Sequence, residues 1–423
     1  MASTIGWVDI SPRDKDRVKK FLEMMGTGGV QDELGVGVIR DAMSNKLFPG
    51  FSTLYTRAKY FFITPYLITD ILEKNDGTNI SAVRRFEQAE IKANEAIREF
   101  FRNHPELKEQ SYFCKDKGDG KLTRQPSEIY WNGIITLKLV TGDKSLAQIL
   151  NRPYSLQQEL LSNDKGEDVT REQGENLHNS ITNINCYTSD WIEYISTHGL
   201  ELSDTEKGTL RDRLIKYTPD SLPAALVSDE KLWGRYKDAA EAGIEEPFLN
   251  PMLRFIKGSY DDVNNEVLRK NLIMAHDLSL FLHGLHIAYN IAVRTEAQHG
   301  ITELKEKGRK WRSGLQYAMI DYPGFDINSY FTGVNIKSFT KEFLQKSQES
   351  VIKYQDWDSV EKELCCLARG QEMRNKTTKS RFEKIKKNGV AELEDEKKWL
   401  GLGLINYRYY SALSVIKDIY EGC

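Results

Sequence analysis

Residues 31–70, reading QDELGVGVIRDAMSNKLFPGFSTLYTRAKYFFITPYLITD, constrain the fold more than any other stretch of this chain. Phe48-Pro49-Gly50 stops one helix and turns the backbone, because proline lacks an amide donor and glycine tolerates positive φ. Ahead of the turn, Asp32 is placed to cap a helix whose apolar positions Leu34, Val38, Met43 and Leu47 share one face. Behind it, Ser52-Thr53 is placed to cap a second helix carrying Arg57, Lys59 and the aromatic series Tyr55, Tyr60, Phe61 and Phe62. The expected unit is helix, Pro-Gly turn, helix, with polar groups gathered at the turn.

Two readings of that unit stand side by side. In the first, free amides at the start of the second helix hold a nucleic-acid phosphate beside Arg40, Ser52, Arg57 and Lys59. The turn resembles the Leu-Pro-Gly-x-Gly loop of DNA-binding helix-hairpin-helix motifs, with Ser52 in place of the second glycine. In the second, the turn is an αα-corner that packs Phe48, Phe51 and Tyr55 into a core.

The remainder of the chain reads as helices. Amphipathic spacing recurs over 81–103, a capping box Ser203-x-x-Glu206 opens a helix toward Tyr217, and Ser259 to His299 is a long helical tract. Helices are also expected over 11–25, 128–140, 229–242, 341–348, 357–369 and 405–420, and Ile5 to Ile10 alternates like one short strand. The expected class is mainly α, a multi-helix globule with at most one or two short strands. Its lobes are placed at 1–160, 161–325 and 326–423, with polar residues 161–176 as the first linker. At 423 residues and 40% hydrophobic content, the chain has material for real cores. No run of about eighteen apolar residues occurs and no signal pattern opens the chain. Five cysteines without CxxC spacing fit a reducing cytoplasm.

Net charge is −3, from 59 Lys+Arg against 62 Asp+Glu, so any polyanion must be met by a local patch. Residues 369–387 hold eight Lys/Arg against two Glu, including Arg374, Lys379 and Arg381. Residues 305–312 hold five against one around Trp311, and such patches neutralise phosphates while an indole can stack on a base. Asp32, Glu33 and Asp41 are the carboxylates nearest the turn; Glu33 and Asp41, eight residues apart, fall near one helical face. Taken singly, Asp32 reads more simply as a cap and Asp41 as an ion-pair partner. His276, His283 and His286, with Asn290 a turn beyond, lie on one side of the long helix. That row can line a pocket or, less simply, hold a metal; without an HExxH pattern no metal is expected. No Walker A, GxGxxG or GxSxG motif is present.

IGWVD at 5–9, DELGVGVIRDA at 32–42, LFPGFST at 47–53 and TRAKYFF at 56–62 resemble an uncharacterised bacterial family found in anti-phage defence loci and taken to include the Brig-type DNA glycosylases. Tyr130-Trp131, His283-Gly284, Tyr289-Asn290 and Tyr407-Arg408-Tyr409 extend the resemblance along the chain. It implies excision of a glucosylated hydroxymethylcytosine from phage DNA, leaving an abasic site. That chemistry needs double-stranded DNA as partner, a flipped nucleotide, and a carboxylate beside an oxocarbenium-like sugar, with water as the only co-reactant and no cofactor. The family supplies no site assignment, so the candidates are this chain's own. Glu33, Asp41 and Asp32 are candidates for catalysis. Tyr55, Trp131, His283, His286 and Asn290 are candidates for the base pocket. The alternative is a non-catalytic DNA-binding or scaffolding subunit of a defence complex.

Overall fold

The computed structural model describes residues 32–73, 80–107, 112–113, 122, 124–141, 145–151, 182, 184–242, 248–315, 325–388 and 398–421. Among these the fold is all-α, as the helical spacings imply: sixteen α-helices, no strand, and one isolated antiparallel bridge between Val140 and Thr182. The expected strand at 5–10, the helix at 11–25 and the linker at 161–176 lie outside the described residues. No described helix is long and apolar enough to cross a membrane.

The chain forms two compact units, each discontinuous in sequence. The first comprises Met1–Arg40, Glu246–Phe248 and His276–Ile405; the second comprises Asp41–Glu245, Leu249–Ala275 and Asn406–Cys423.

The first unit is built on the later turns of helix Glu266–Glu296, where residues 276–291 are all buried. A helix covered on every side must be approached closely, and glycines allow it. Gly284 has no side chain where a Cβ would fall 2.1 Å from the Trp311 ring, and that indole donates to the Leu280 carbonyl at 2.8 Å. Gly308 accommodates Trp357 in the same way. Trp311 is therefore a core residue, which corrects the expectation that it stacks on a base. Helix Trp357–Lys376 packs on Thr302–Gly314, Ser338–Lys353 and Arg381–Asn388. Arg312 satisfies carbonyls at the end of Ser338–Lys353, bonding those of Val351, Tyr354 and Gln355. The long helix starts at Glu266, later than expected, because Tyr260–Asp262 is a separate 3₁₀ turn.

The second unit assembles around helix Tyr60–Glu73, which packs on Ala82–Asn103 and Pro126–Thr136. Its aromatic core stacks Tyr55 on Tyr130 with centroids 4.1 Å apart and sets Phe61 edge-on to both rings. Two sequence expectations need correction here. The helix after the Pro-Gly turn begins at Tyr60, not at Ser52-Thr53, since the Ser52 hydroxyl instead accepts the Leu54 amide in a local turn. The helix before it begins at Gly37; Leu34, Met43 and Leu47 are buried as expected, while Val38 is exposed and Ile39 is buried in its stead. The Ser203–Glu206 capping box is present as expected at the head of Asp204–Tyr217.

Candidate functional site

In the second unit, the amides of Thr56, Arg57 and Ala58, between the Pro-Gly turn and Tyr60, are met from within. The Tyr130 hydroxyl accepts the Thr56 and Arg57 amides at 2.9 and 3.2 Å and donates to the Arg57 carbonyl. Asp418 accepts the Ala58 amide at 2.7 Å and both contacts from Arg57 Nε at 3.0 Å. Burial pushes the Asp418 carboxyl up, and the Arg57 charge opposes that shift. Lys59 is buried against Glu206 at 2.7 Å, which also accepts the Tyr66 hydroxyl. The oxygen atoms that meet these amides and cations are thus the chain's own. Tyr55 is buried with its hydroxyl on the Gly50 carbonyl, Ser52 and Trp131 are half-buried, and Asp41 is exposed. Gly133 is what permits the close fit, since a Cβ there would fall 2.6 Å from the Tyr55 oxygen.

The first unit gathers the other candidates from distant parts of the sequence. Asp32 accepts the amides of Val36 and Gly37 at 2.9 and 2.8 Å and so caps helix Gly37–Leu47. Glu33, 2% exposed, precedes that helix, so helical spacing does not relate it to Asp41. Its carboxylate meets Arg381 at 3.1 Å and Lys376 at 3.6 Å. Asn375 holds the same turn by donating to the carbonyls of Asp32 and Glu33. Glu372 accepts the Ser380 hydroxyl and the Arg381 amide, and burial pushes its carboxyl up, with Glu33 adding to the shift. Arg40 lies half-buried on the first turn of its helix; Arg374 is exposed and 3.5 Å from Glu342, and Lys379 is exposed.

The histidine row faces the same set of charges. His286 donates from Nδ1 to the Leu282 carbonyl at 2.7 Å, leaving Nε2 buried without a partner. Burial lowers it to about 4, a shift opposed by the Asp32 charge. His283 is stacked on Trp399 at 5.2 Å and lowered to about 3, by burial first and then by Lys307 and His286. Both rings are therefore neutral near pH 7. Tyr289, one turn beyond His286, has a buried hydroxyl whose proton finds no acceptor; burial, then Glu33 and Glu372, raise it, while Arg381 opposes by its charge and a hydrogen bond to the phenol oxygen. Asn290 donates to the carbonyls of His286 and Leu400 and accepts the Leu400 amide, fastening the turn at 399–402 over the row. His276 pairs with Asp277 at 3.0 Å. Among the described residues no three His, Cys, Asp or Glu side chains gather as a metal site would require.

Carboxylates, neutral imidazoles, a phenol and two cations thus converge within one unit. Sequence reasoning missed Tyr289, Glu372, Ser380 and Trp399. Tyr289 was within reach, since it continues the three-residue spacing of His283 and His286. No curated protein and no solved structure matches this chain. The model of a family of unknown function, DUF6361, matches residues 2–353, and the chain belongs to that family.

Proposed function

We propose that this protein is a DNA glycosylase of anti-phage defence, hydrolysing the N-glycosidic bond of a modified cytosine to leave an abasic site. The observation that supports this reading is the gathering of Asp32 and Glu33 with His286, Tyr289 and Arg381, residues drawn from three separate parts of the sequence. In the proposed reaction, hydroxide from water bonds to the sugar carbon as its bond to the base nitrogen breaks. The remaining proton of that water leaves with the base. Glu33 faces the positive charge that develops on the sugar, and the exposed cations Arg374 and Lys379 meet the backbone. Duplex DNA bearing glucosylated hydroxymethylcytosine is the substrate to test, with abasic sites read as strand breaks after mild base. Wild type should yield them, Glu33→Gln should yield at least about a hundredfold fewer, and Asp41→Asn reports on the second carboxylate. Full conversion by both variants removes these carboxylates from the chemistry.

One observation favours the second reading, a DNA-binding or scaffolding subunit without chemistry. Asp32 is occupied by two amides and Glu33 by two cations, which are structural duties sufficient to explain both. Salt-dependent binding of modified and plain duplex, with no product from either, would establish it.

A further inference from the structure

Three groups on successive turns of helix Glu266–Glu296 are sealed from water with hydrogen-bonding capacity unmet: His283 Nδ1 and His286 Nε2 have no partner, and the Tyr289 hydroxyl, whose oxygen accepts from Arg381, has no acceptor for its proton. Buried polar atoms are almost always paired, because leaving one unpaired forfeits its hydration for nothing. Such groups gathered on one side of one helix therefore call for a ligand. For His286 and Tyr289 the hydrogen-bonding sense is fixed by neighbours. The Leu282 carbonyl can only accept, so His286 Nδ1 carries the ring proton and Nε2 is a bare acceptor. Tyr289, buried beside Glu33 and Glu372, keeps its hydroxyl proton and is the donor one turn on. Aromatic faces flank the row, with Trp399 stacked on His283 and Phe248 edge-on to it. The cover over His286 is backbone: Gly401, at φ +80°, lies where a Cβ would come within 2.8 Å of Nε2. Entry to the row displaces a turn that Asn290 holds through its two hydrogen bonds with Leu400.

We propose that this row binds a planar heteroaromatic ring presenting an amine donor beside a ring-nitrogen acceptor, the edge that adenine and cytosine share. His286 Nε2 accepts from the amine and Tyr289 Oη donates to the ring nitrogen. Uracil reverses both groups, setting a carbonyl against Nε2 and an N–H against the hydroxyl. The inference rests on the glycosylase reading and deepens it by naming what discriminates the base.

The test uses the full chain with free adenine, cytosine and uracil, followed by calorimetric titration and thermal denaturation. Adenine or cytosine should bind at least about tenfold tighter than uracil. Tyr289→Phe removes the donor and keeps the ring; it should fold as the wild type does and lose that tenfold preference. His286→Phe removes the acceptor and should lose the preference as well. Absence of base binding by wild type, equal binding of uracil, or a preference retained by Tyr289→Phe each overturns the proposal. Abasic-site formation is scored separately. Selective base binding with no abasic product sinks the glycosylase reading alone, whereas abasic product with no preference sinks this one alone.

Discussion

At the scale of single residues, the ion pair between Glu33 and Arg381 is the best handle on the first unit. Its members stand 348 positions apart, and no local pattern relates them. Asp32 was legible as a cap because capping depends on neighbours in sequence; the partners of Glu33 were not, because only tertiary packing brings them. Removing one member of a buried pair strands the other charge, which typically costs several kcal/mol. Here the cations keep about a quarter of their side chains exposed, so water recovers part of that loss. Glu33→Gln and Arg381→Gln should each lower stability by about 2 kcal/mol. The double variant should lose clearly less than the sum, as urea midpoints would reveal. Strictly additive losses would mean that the pair contributes nothing as a pair.

At the scale of elements, helix starts were readable where the sequence carried a complete local signal. Ser203-x-x-Glu206 is one case, realised with both reciprocal bonds. Residues 128–140 were expected as a helix; the helix instead runs Pro126–Thr136, and the proline at its first turn is the start signal those bounds left out. The start at Tyr60 was missed because Ser52 closes a local turn and the amides beyond it are met by Tyr130 and Asp418, both far away in sequence. Helix Pro126–Thr136 has a similarly distant cap. Glu90, 3% exposed, accepts the Ser127 amide and hydroxyl at 2.9 and 3.0 Å. Burial pushes its carboxyl up to about 7, outweighing those two bonds, and Glu128 and Glu87 add to the rise. The folded chain therefore keeps a proton that the unfolded chain releases above about 4.5. The resulting stability is fully present below that pH and is lost as pH rises through about 7. Glu90→Gln should remove about 2–3 kcal/mol of this pH dependence, read as urea midpoints at pH 5 and pH 8. An unchanged difference between the two pH values would assign the effect elsewhere.

At the scale of the molecule, counting charges along the sequence overstated the basic surface, because cations near in sequence find anions that are far. In 305–312, Lys305 pairs with Glu361, Arg309 with Asp358 and Lys310 with Glu306, while Arg312 is spent on carbonyls. In 369–387, Arg369 pairs with Glu296, Arg374 lies near Glu342, and Lys376 and Arg381 serve Glu33. Lys379, Lys386 and Lys387 are exposed in that second tract, and with the exposed Arg374 they can meet a phosphate backbone without breaking a buried pair. Arg57 and Lys59, candidate phosphate ligands by sequence, are instead buried against Asp418 and Glu206. The two groups should therefore separate in one experiment on duplex DNA. Every phosphate that is no longer neutralised lowers the slope of log affinity against log salt by about 0.9, so replacing Lys379, Lys386 and Lys387 by Gln should lower it by up to about 3 at unchanged melting temperature. Arg57→Gln and Lys59→Gln should melt lower, by an amount equivalent to about 3 kcal/mol each, while the folded protein keeps the wild-type slope. A slope that falls with Arg57 or Lys59 and ignores the three exposed lysines would return DNA binding to the Pro-Gly turn.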